Sequence, residues 1–235
     1  MFKSPPPPQE DGIYRAVKGR LRLPLAQRSN FWPPTAKLYE PLWRNRSLSL
    51  LTRGAFSTTR ELALMLEWTR PQPAQLWLDA ACSTGLYSRT LLAHANDLDV
   101  HALDISLPML RVAQREGQKA GLAFVLVHGD VNALPYEDGV FDGVVCGGSL
   151  NEFLDVPRAV GEFSRVLKPG GRLWLMYLSK AETWPGQGGQ RLLGLSGIRF
   201  IGPKTLEGQA ARAKLKLQSA QYRERVAMAL FRKAA

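Results

Sequence analysis

Cysteine is scarce in this chain, with Cys82 and Cys146 the two examples in 235 residues. Histidine is almost as rare, at His94, His101 and His128. None of these five falls at Cys-x-x-Cys or His-x-x-x-His spacing, which argues against a disulfide framework and a structural zinc site. Two scattered thiols fit a reducing cytosol. Long apolar runs are missing too. A membrane-spanning helix needs roughly 18–20 consecutive apolar residues, whereas Leu62–Trp68 is short and carries Glu67. The start has no apolar h-region, sparse serine and the acids Glu10 and Asp11, which speaks against a targeting peptide. At 45% hydrophobic and 22% charged, the composition is that of a globular protein.

What the chain has in excess is positive charge, +11 in all, unevenly spread. Residues 1–60 carry +8, residues 61–190 carry −5, and residues 191–235 carry +8 again. The basicity therefore belongs to two flanks around an acidic middle; in the fold that the resemblance described below implies, both flanks are expected near the mouth of the cofactor cleft. Residues 1–34 read as a basic, Pro-rich, partly flexible leader: Pro5–Pro8 favour polyproline II, and the alternation from Ile13 to Leu25 is broken by basic residues. Residues 35–235 read as a single domain. Within it, residues 35–72 form a helical cap, 73–178 a core, 179–213 a lid, and 214–235 an antiparallel closing pair.

From Gln75 short β-rich runs alternate with helical periods. Gln75–Leu78, Leu98–Leu103, Ala123–His128, Phe141–Cys146 and Arg172–Leu178 read as strands. Leu86–Ala93, Pro108–Ala120 and Val156–Lys168 read as helices between them. This alternation predicts parallel strands with crossover helices on both faces. Leu215–Arg223 and Val226–Arg232, split by a charged turn at Arg223–Arg225, read as the antiparallel ending.

The chemistry gathers where these strands end. Asp79 and the small residues Ala81, Cys82 and Ser83 lead to Gly85, so the backbone can approach a ligand ahead of a helix start. Asp104 ends the second core strand, placed to accept from a ribose diol, with Ser106 free to cap the next helix. Asp130 follows the third, and Gly147–Gly148 follow the fourth, leaving room for a substrate. A Lys168-Pro169-Gly170-Gly171 stop precedes the fifth.

In order, these residues are Asp79-x-Ala81-x-Ser83-x-Gly85, Asp104-Ile105-Ser106-x-x-Met109-Leu110, Gly129-Asp130-Val131-x-x-Leu134-Pro135, Phe141-Asp142 and Arg165-Val166-Leu167-Lys168-Pro169-Gly170-Gly171. The series resembles the class I S-adenosylmethionine-dependent methyltransferases, and within them the type-11 group that includes quinone-biosynthesis enzymes. Residues 79–89, with Tyr39-Glu40 and Trp43-Arg44, are similar to a less characterised bacterial and plastid branch. Ala81 and Ser83 stand where two of the three usual glycines would be.

The resemblance implies a Rossmann-like α/β three-layer sandwich. Its sheet would have seven strands, mostly parallel, in the order 3-2-1-4-5-7-6, with the last antiparallel. It implies S-adenosylmethionine as cofactor and no metal. Asp79, Ala81, Cys82 and Gly85 would face its methionine part, Asp104 its ribose, and Ile105 and Met109 the adenine. Asp130 would accept from the adenine amino group, with Val131 donating nearby, and Cys146 and Gly147 would lie next to the methionine end. Candidates for a general base are Asn151, Glu152 and Tyr177, with Tyr14 and Tyr39 in the leading flank. The implied activity is methylation of a small or lipid-like acceptor by a cytoplasmic protein whose flanks can meet an anionic membrane surface. Two alternatives stand beside it: an RNA-modifying methyltransferase using the basic flanks, and a cofactor-binding protein without transferase activity.

Overall fold

The structure is a computed structural model of the chain. It describes residues 1–17, 31, 32, 34, 35, 49, 52, 54, 56–95, 97–180, 190, 191, 194, 195 and 197–235. Tyr39, Glu40, Trp43 and Arg44 lie outside the described residues, as do residues 18–30 of the expected leader and 181–189 of the expected lid.

The strands are β1 (Gln9–Glu10), β2 (Ile13–Arg15), β3 (Leu76–Ala80), β4 (Asp99–Asp104), β5 (Val125–His128), β6 (Phe141–Gly147), β7 (Leu167–Leu178), β8 (Leu215–Arg223) and β9 (Val226–Lys233). The helices are α1 (Thr58–Thr69), α2 (Leu86–His94), α3 (Leu107–Lys119), α4 (Val156–Val166) and α5 (Pro203–Arg212). All nine strands join one sheet, ordered β1-β2-β5-β4-β3-β6-β7-β9-β8. Counted from β3, the seven strands expected from the sequence stand in the expected order, with β9 antiparallel to both neighbours.

The expected strand number needs correction. The chain's start adds the hairpin β1–β2, and Ile13–Arg15 pairs in parallel with Leu126–His128. Gln9–Glu10 and Ile13–Arg15, within the expected leader, accordingly form the sheet's edge. Ile13 is fully buried, and Phe2 stacks on Tyr136 with ring centroids 5.1 Å apart. The physical reason is that β5 would otherwise end the sheet with a row of unpaired backbone groups.

Period-2 alternation sorts the strand residues onto two apolar faces. Leu78, Leu103, Val144 and Leu175 pack with Phe163 of α4 and Leu206 of α5 on one face. Trp77, Val100, Val145 and Trp174 pack with Met65 of α1 and Leu91 of α2 on the other. Beside that second set, Ala102 and Leu126 meet Leu110 and Ala113 of α3. The helices begin on side-chain caps: Ser57, Ser106 and Asp155 each accept a backbone N–H of the first turn. The Lys168–Gly171 stop lies inside β7, where Gly170 takes φ 76° and the β6–β7 register shifts.

Both basic flanks were expected at the cleft mouth, and for the end of the chain this holds only in part: Arg223, paired with Val226 beside Leu178, and Arg225, whose carbonyl accepts the Ser179 N–H at 2.8 Å, lie at the carboxyl end of β7, while other basic residues do not. Arg172, Arg232 and Lys216 face one another across β7, β9 and β8 at the amino ends of the parallel strands, opposite the cleft. The cause is topological: β9 runs antiparallel and returns the chain to that end.

Candidate functional site

The carboxyl ends of β3, β4, β5 and β6 converge on an open cleft enclosing about 730 Å³ of space. This is where an open α/β sheet presents its loops to a ligand. Asp104, Ile105, Met109, Asp130 and Val131 all line it. Ala81 and Ser83 line it as well, and they also wall a narrower extension of about 310 Å³ that contains Asp79, Cys82, Tyr87 and Gly147.

The turn between β3 and α2 explains how alanine and serine replace glycine. Ala81 (φ 56°), Ser83 (φ 51°) and Gly85 (φ 76°) all take left-handed backbone angles. For a non-glycine residue that conformation costs about 1–2 kcal/mol. The surroundings hold the turn in place: Cys82 N–H donates to Leu103 O at 3.0 Å and Ser83 N–H to Asp104 Oδ2 at 2.8 Å. Gly85, the residue ahead of α2, lines neither space, and a Cβ there would sit 3.1 Å from Ala113.

Asp104 Oδ1 also accepts the Ser106 N–H at 2.8 Å. A carboxylate has about four acceptor positions, and with the Ile105 amide as a third donor one remains for a ligand. Burial pushes Asp104 up to about 6, against the pull of the Ser106, Ser83 and Ile105 amides. Asp79 Oδ2 accepts from Ser88 N–H at 2.9 Å and Ser88 Oγ at 2.7 Å. Burial, aided by the nearby Asp104 charge, pushes Asp79 up to about 7. Asp130 Oδ1 accepts the Asn132 N–H at 2.8 Å, which braces its loop. Burial raises the Cys82 thiol well above its usual range, so it stands there as a small neutral wall residue.

Four candidates, Cys146, Tyr177, Asn151 and Tyr14, fall elsewhere. Cys146 and Tyr177 are buried in the core, where they share a face with Val144 and Leu175, and neither lines a cleft. Asn151 is buried as a clamp: it donates to Leu178 O at 2.8 Å and to Arg199 O, and accepts Leu178 N–H at 2.7 Å. Its neighbour Glu152 lines the cleft. Tyr14 lies on the edge strand β2, packed against Phe2.

The sequence reading missed the apolar side of the cleft, Phe31, Phe153 and Leu154, and the polar pair of Tyr87 with Glu61 beneath the extension. A signal for the second was present. Glu61 is an acid in phase with Met65 and Thr69 on the buried stripe of α1.

Residues 78–175 match the type-11 family model described as a methyltransferase domain. Over these residues the chain is similar to type-11 methyltransferase domains. Over 139 residues it is 34% identical to the ubiquinone/menaquinone biosynthesis C-methyltransferase UbiE of a Ruegeria species, covering 58% of this chain and 54% of that protein. Over 96 residues it is 40% identical to the demethylmenaquinone methyltransferase of Thermus thermophilus, covering 41% and 44% respectively. The chain thus spans about half the length of the curated relatives it matches. The fold is also that of a Haemonchus contortus phosphoethanolamine-type N-methyltransferase solved with S-adenosylhomocysteine, with a TM-score of 0.70 at 13% identity, covering 90% of this chain and 59% of that one. Among the described residues, no group of three or more His, Cys, Asp or Glu side chains is placed to hold a metal ion, and no helix is long and apolar enough to cross a membrane.

Proposed function

We propose that this chain transfers a methyl group from S-adenosylmethionine to a small, flat, apolar acceptor of the quinone type. The observation that carries the reading is the graded lining of one cleft. Acids and small residues, Asp104, Asp130, Ala81 and Ser83, share it with the apolar Phe31, Phe153 and Leu154.

The donor set suits the cofactor. Asp104 offers an acceptor for the ribose hydroxyls, Ile105, Met109 and Val131 offer apolar contacts for adenine, and Asp130 offers an acceptor for its amino group. The extension with Asp79, Cys82 and Gly147 takes the methionine part. When bound, the cofactor supplies an electrophilic methyl on a sulfonium. The protein's residues then mainly hold the acceptor in line, at about 3 Å. Glu152 is placed to take a proton from an acceptor that must lose one. Phe31 lines the cleft and the neighbouring Trp32 is 64% exposed, so the N-terminal flank is the part that would meet an anionic membrane holding an apolar acceptor.

The names of the relatives, quinone methyltransferases both, support the acceptor class. The test pairs calorimetry with S-adenosylmethionine and methyl-label transfer to a demethylated naphthoquinone in vesicles, with bulk RNA as the competing acceptor. Binding followed by label in the quinone is the expected result. Label in RNA alone overturns the acceptor, and no binding at all overturns the cofactor.

A further inference from the structure

Among the described residues five large apolar side chains stand exposed: Met1, Trp32, Leu154, Leu195 and Tyr222. Scattered singly such residues mean little, but four of these five gather at the carboxyl end of the sheet. Leu154 lines the open cleft with Phe31, and Trp32 is the next residue along. Leu195, 78% exposed, belongs to a segment tied to that end on both sides. Before it, Gln190 Nε2 donates to Ser179 O at 2.9 Å; after it, Arg199 N–H donates to Asn151 O at 2.7 Å. Tyr222 pairs with Ala227 where β8 and β9 meet in their turn.

Basic side chains surround these four. Lys180, Arg191, Arg199, Lys204, Arg223 and Arg225 are all exposed. Lys180 N–H donates to Ile201 O at 3.2 Å, and Lys204 follows in the first turn of α5. Arg225 O accepts the Ser179 N–H at 2.8 Å, and Arg223 pairs with Val226 beside Leu178. The exposed acids among them are Asp155, which caps α4, Glu207 near Tyr222, and Glu224 in the hairpin turn. The balance is positive. A rim of tryptophan, leucine and basic residues suits a bilayer with anionic headgroups: the apolar side chains enter the acyl boundary while the cations stay with the phosphates. A nucleic acid would use the cations, but Leu154 and Leu195 have no flat face on which a base could stack.

We propose that this rim is a docking surface for an anionic lipid bilayer and seats the cleft mouth on the membrane. An apolar acceptor then passes from bilayer to cleft without crossing water. The inference extends the contact from the N-terminal flank to the 190–201 segment and the β8–β9 turn, and it rests on the reading of an apolar acceptor given above.

The test is sedimentation of the full chain with phosphatidylglycerol–phosphatidylcholine vesicles across a salt series, without cofactor. Each base at an anionic surface contributes about fivefold to partitioning, so Arg223→Gln with Arg225→Gln should lower it about 30-fold. Arg212→Gln with Lys216→Gln removes equal charge from exposed positions at the opposite end of β8 and should change it by less than about 3-fold. Leu195→Gln should lower it about 10-fold, at high salt as at low, because the apolar contribution is not screened. All five positions are exposed, and circular dichroism melts establish that each variant is folded. Equal losses from the two basic pairs would mark a diffuse cationic coat and overturn the proposal. So would absence of partitioning at low salt, or an Arg223/Arg225 variant that loses bulk RNA and keeps vesicles. Intact vesicle binding without methyl transfer to a quinone would instead overturn the acceptor reading.

Discussion

Asp104 Oδ2 accepts the backbone N–H of Ser83 at 2.8 Å, so the acid at the end of β4 holds the strained turn that follows β3. The same side chain therefore serves the fold and the proposed ribose contact. Asp104→Ala should weaken S-adenosylmethionine binding about 10- to 150-fold, since a hydrogen bond to a charged group contributes about 1.5–3 kcal/mol. It should also lower stability, because the Ser83 and Ser106 amides lose their acceptor, each at about 1–3 kcal/mol if left unsatisfied. Asp104→Asn retains an acceptor oxygen and should lose less of both. Calorimetry alongside urea unfolding checks this, and unchanged affinity in a folded Asp104→Ala protein would refute the ribose assignment.

The raised acids give a pH signature with a definite sign. Burial moves Asp79 from 3.8 to about 7, so between those values the folded state holds a proton that the unfolded state has released. The contribution of Asp79 to stability is then greatest at low pH and declines as pH rises from about 4 to 7. Asp104 adds a smaller decline that ends near 6. Asp79→Asn should become progressively more stable relative to the unaltered protein as pH is raised from 5 to 8. Affinity for the cationic cofactor should move the other way, improving as the carboxylates form. Urea titrations and calorimetry at pH 5.5 and 8 read both slopes, and a stability difference independent of pH would show that Asp79 is not raised.

Packing of β3 against β6 offers a test of the fold itself. A Cβ on Gly143 would lie 2.1 Å from Cζ3 of Trp77, and Trp77 is fully buried and directly opposite in the ladder. Gly143→Ala should cost about 1–3 kcal/mol or more through overpacking. Trp77→Phe in the same chain should recover part of that loss. A double-mutant cycle by urea denaturation checks it, with full additivity as the refuting outcome.

The strand order and the cleft's acids were legible because each sits at a punctuation point, where an apolar run meets an acid or a glycine. The hairpin β1–β2 was not, since the burial of Ile13 is a tertiary event and the nearby prolines and basic residues mask its alternation. Cys146 and Tyr177 show the limit differently. Nearness to the end of a strand put them at the site, but period 2 places Cys146 with Val144 and Tyr177 with Leu175, on the core face. Only Gly147, one residue further, reaches the extension. Glu61 was legible as an acid on the buried stripe of α1, but its pairing with Tyr87, 26 residues away in sequence, was not.

Adjacent residues on one short turn, Leu150–Glu152, should respond in opposite ways to substitution. Asn151 is only 2% exposed and ties the end of β7 to the backbone of Arg199, while Glu152 faces the cleft. Asn151→Ala leaves backbone groups of Leu178 and Arg199 without partners, so it should cost about 1–3 kcal/mol for each that stays unsatisfied. Its chemistry per folded molecule should change little. Glu152→Gln should leave stability and S-adenosylmethionine affinity near their original values. If Glu152 takes a proton from the acceptor, its kcat should fall about 100-fold or more, the usual scale of general-base catalysis. Thermal melts, calorimetry and single-turnover methyl transfer separate the two. An unaltered kcat for Glu152→Gln across pH 6–9 would remove it as the base and leave positioning alone to account for the transfer.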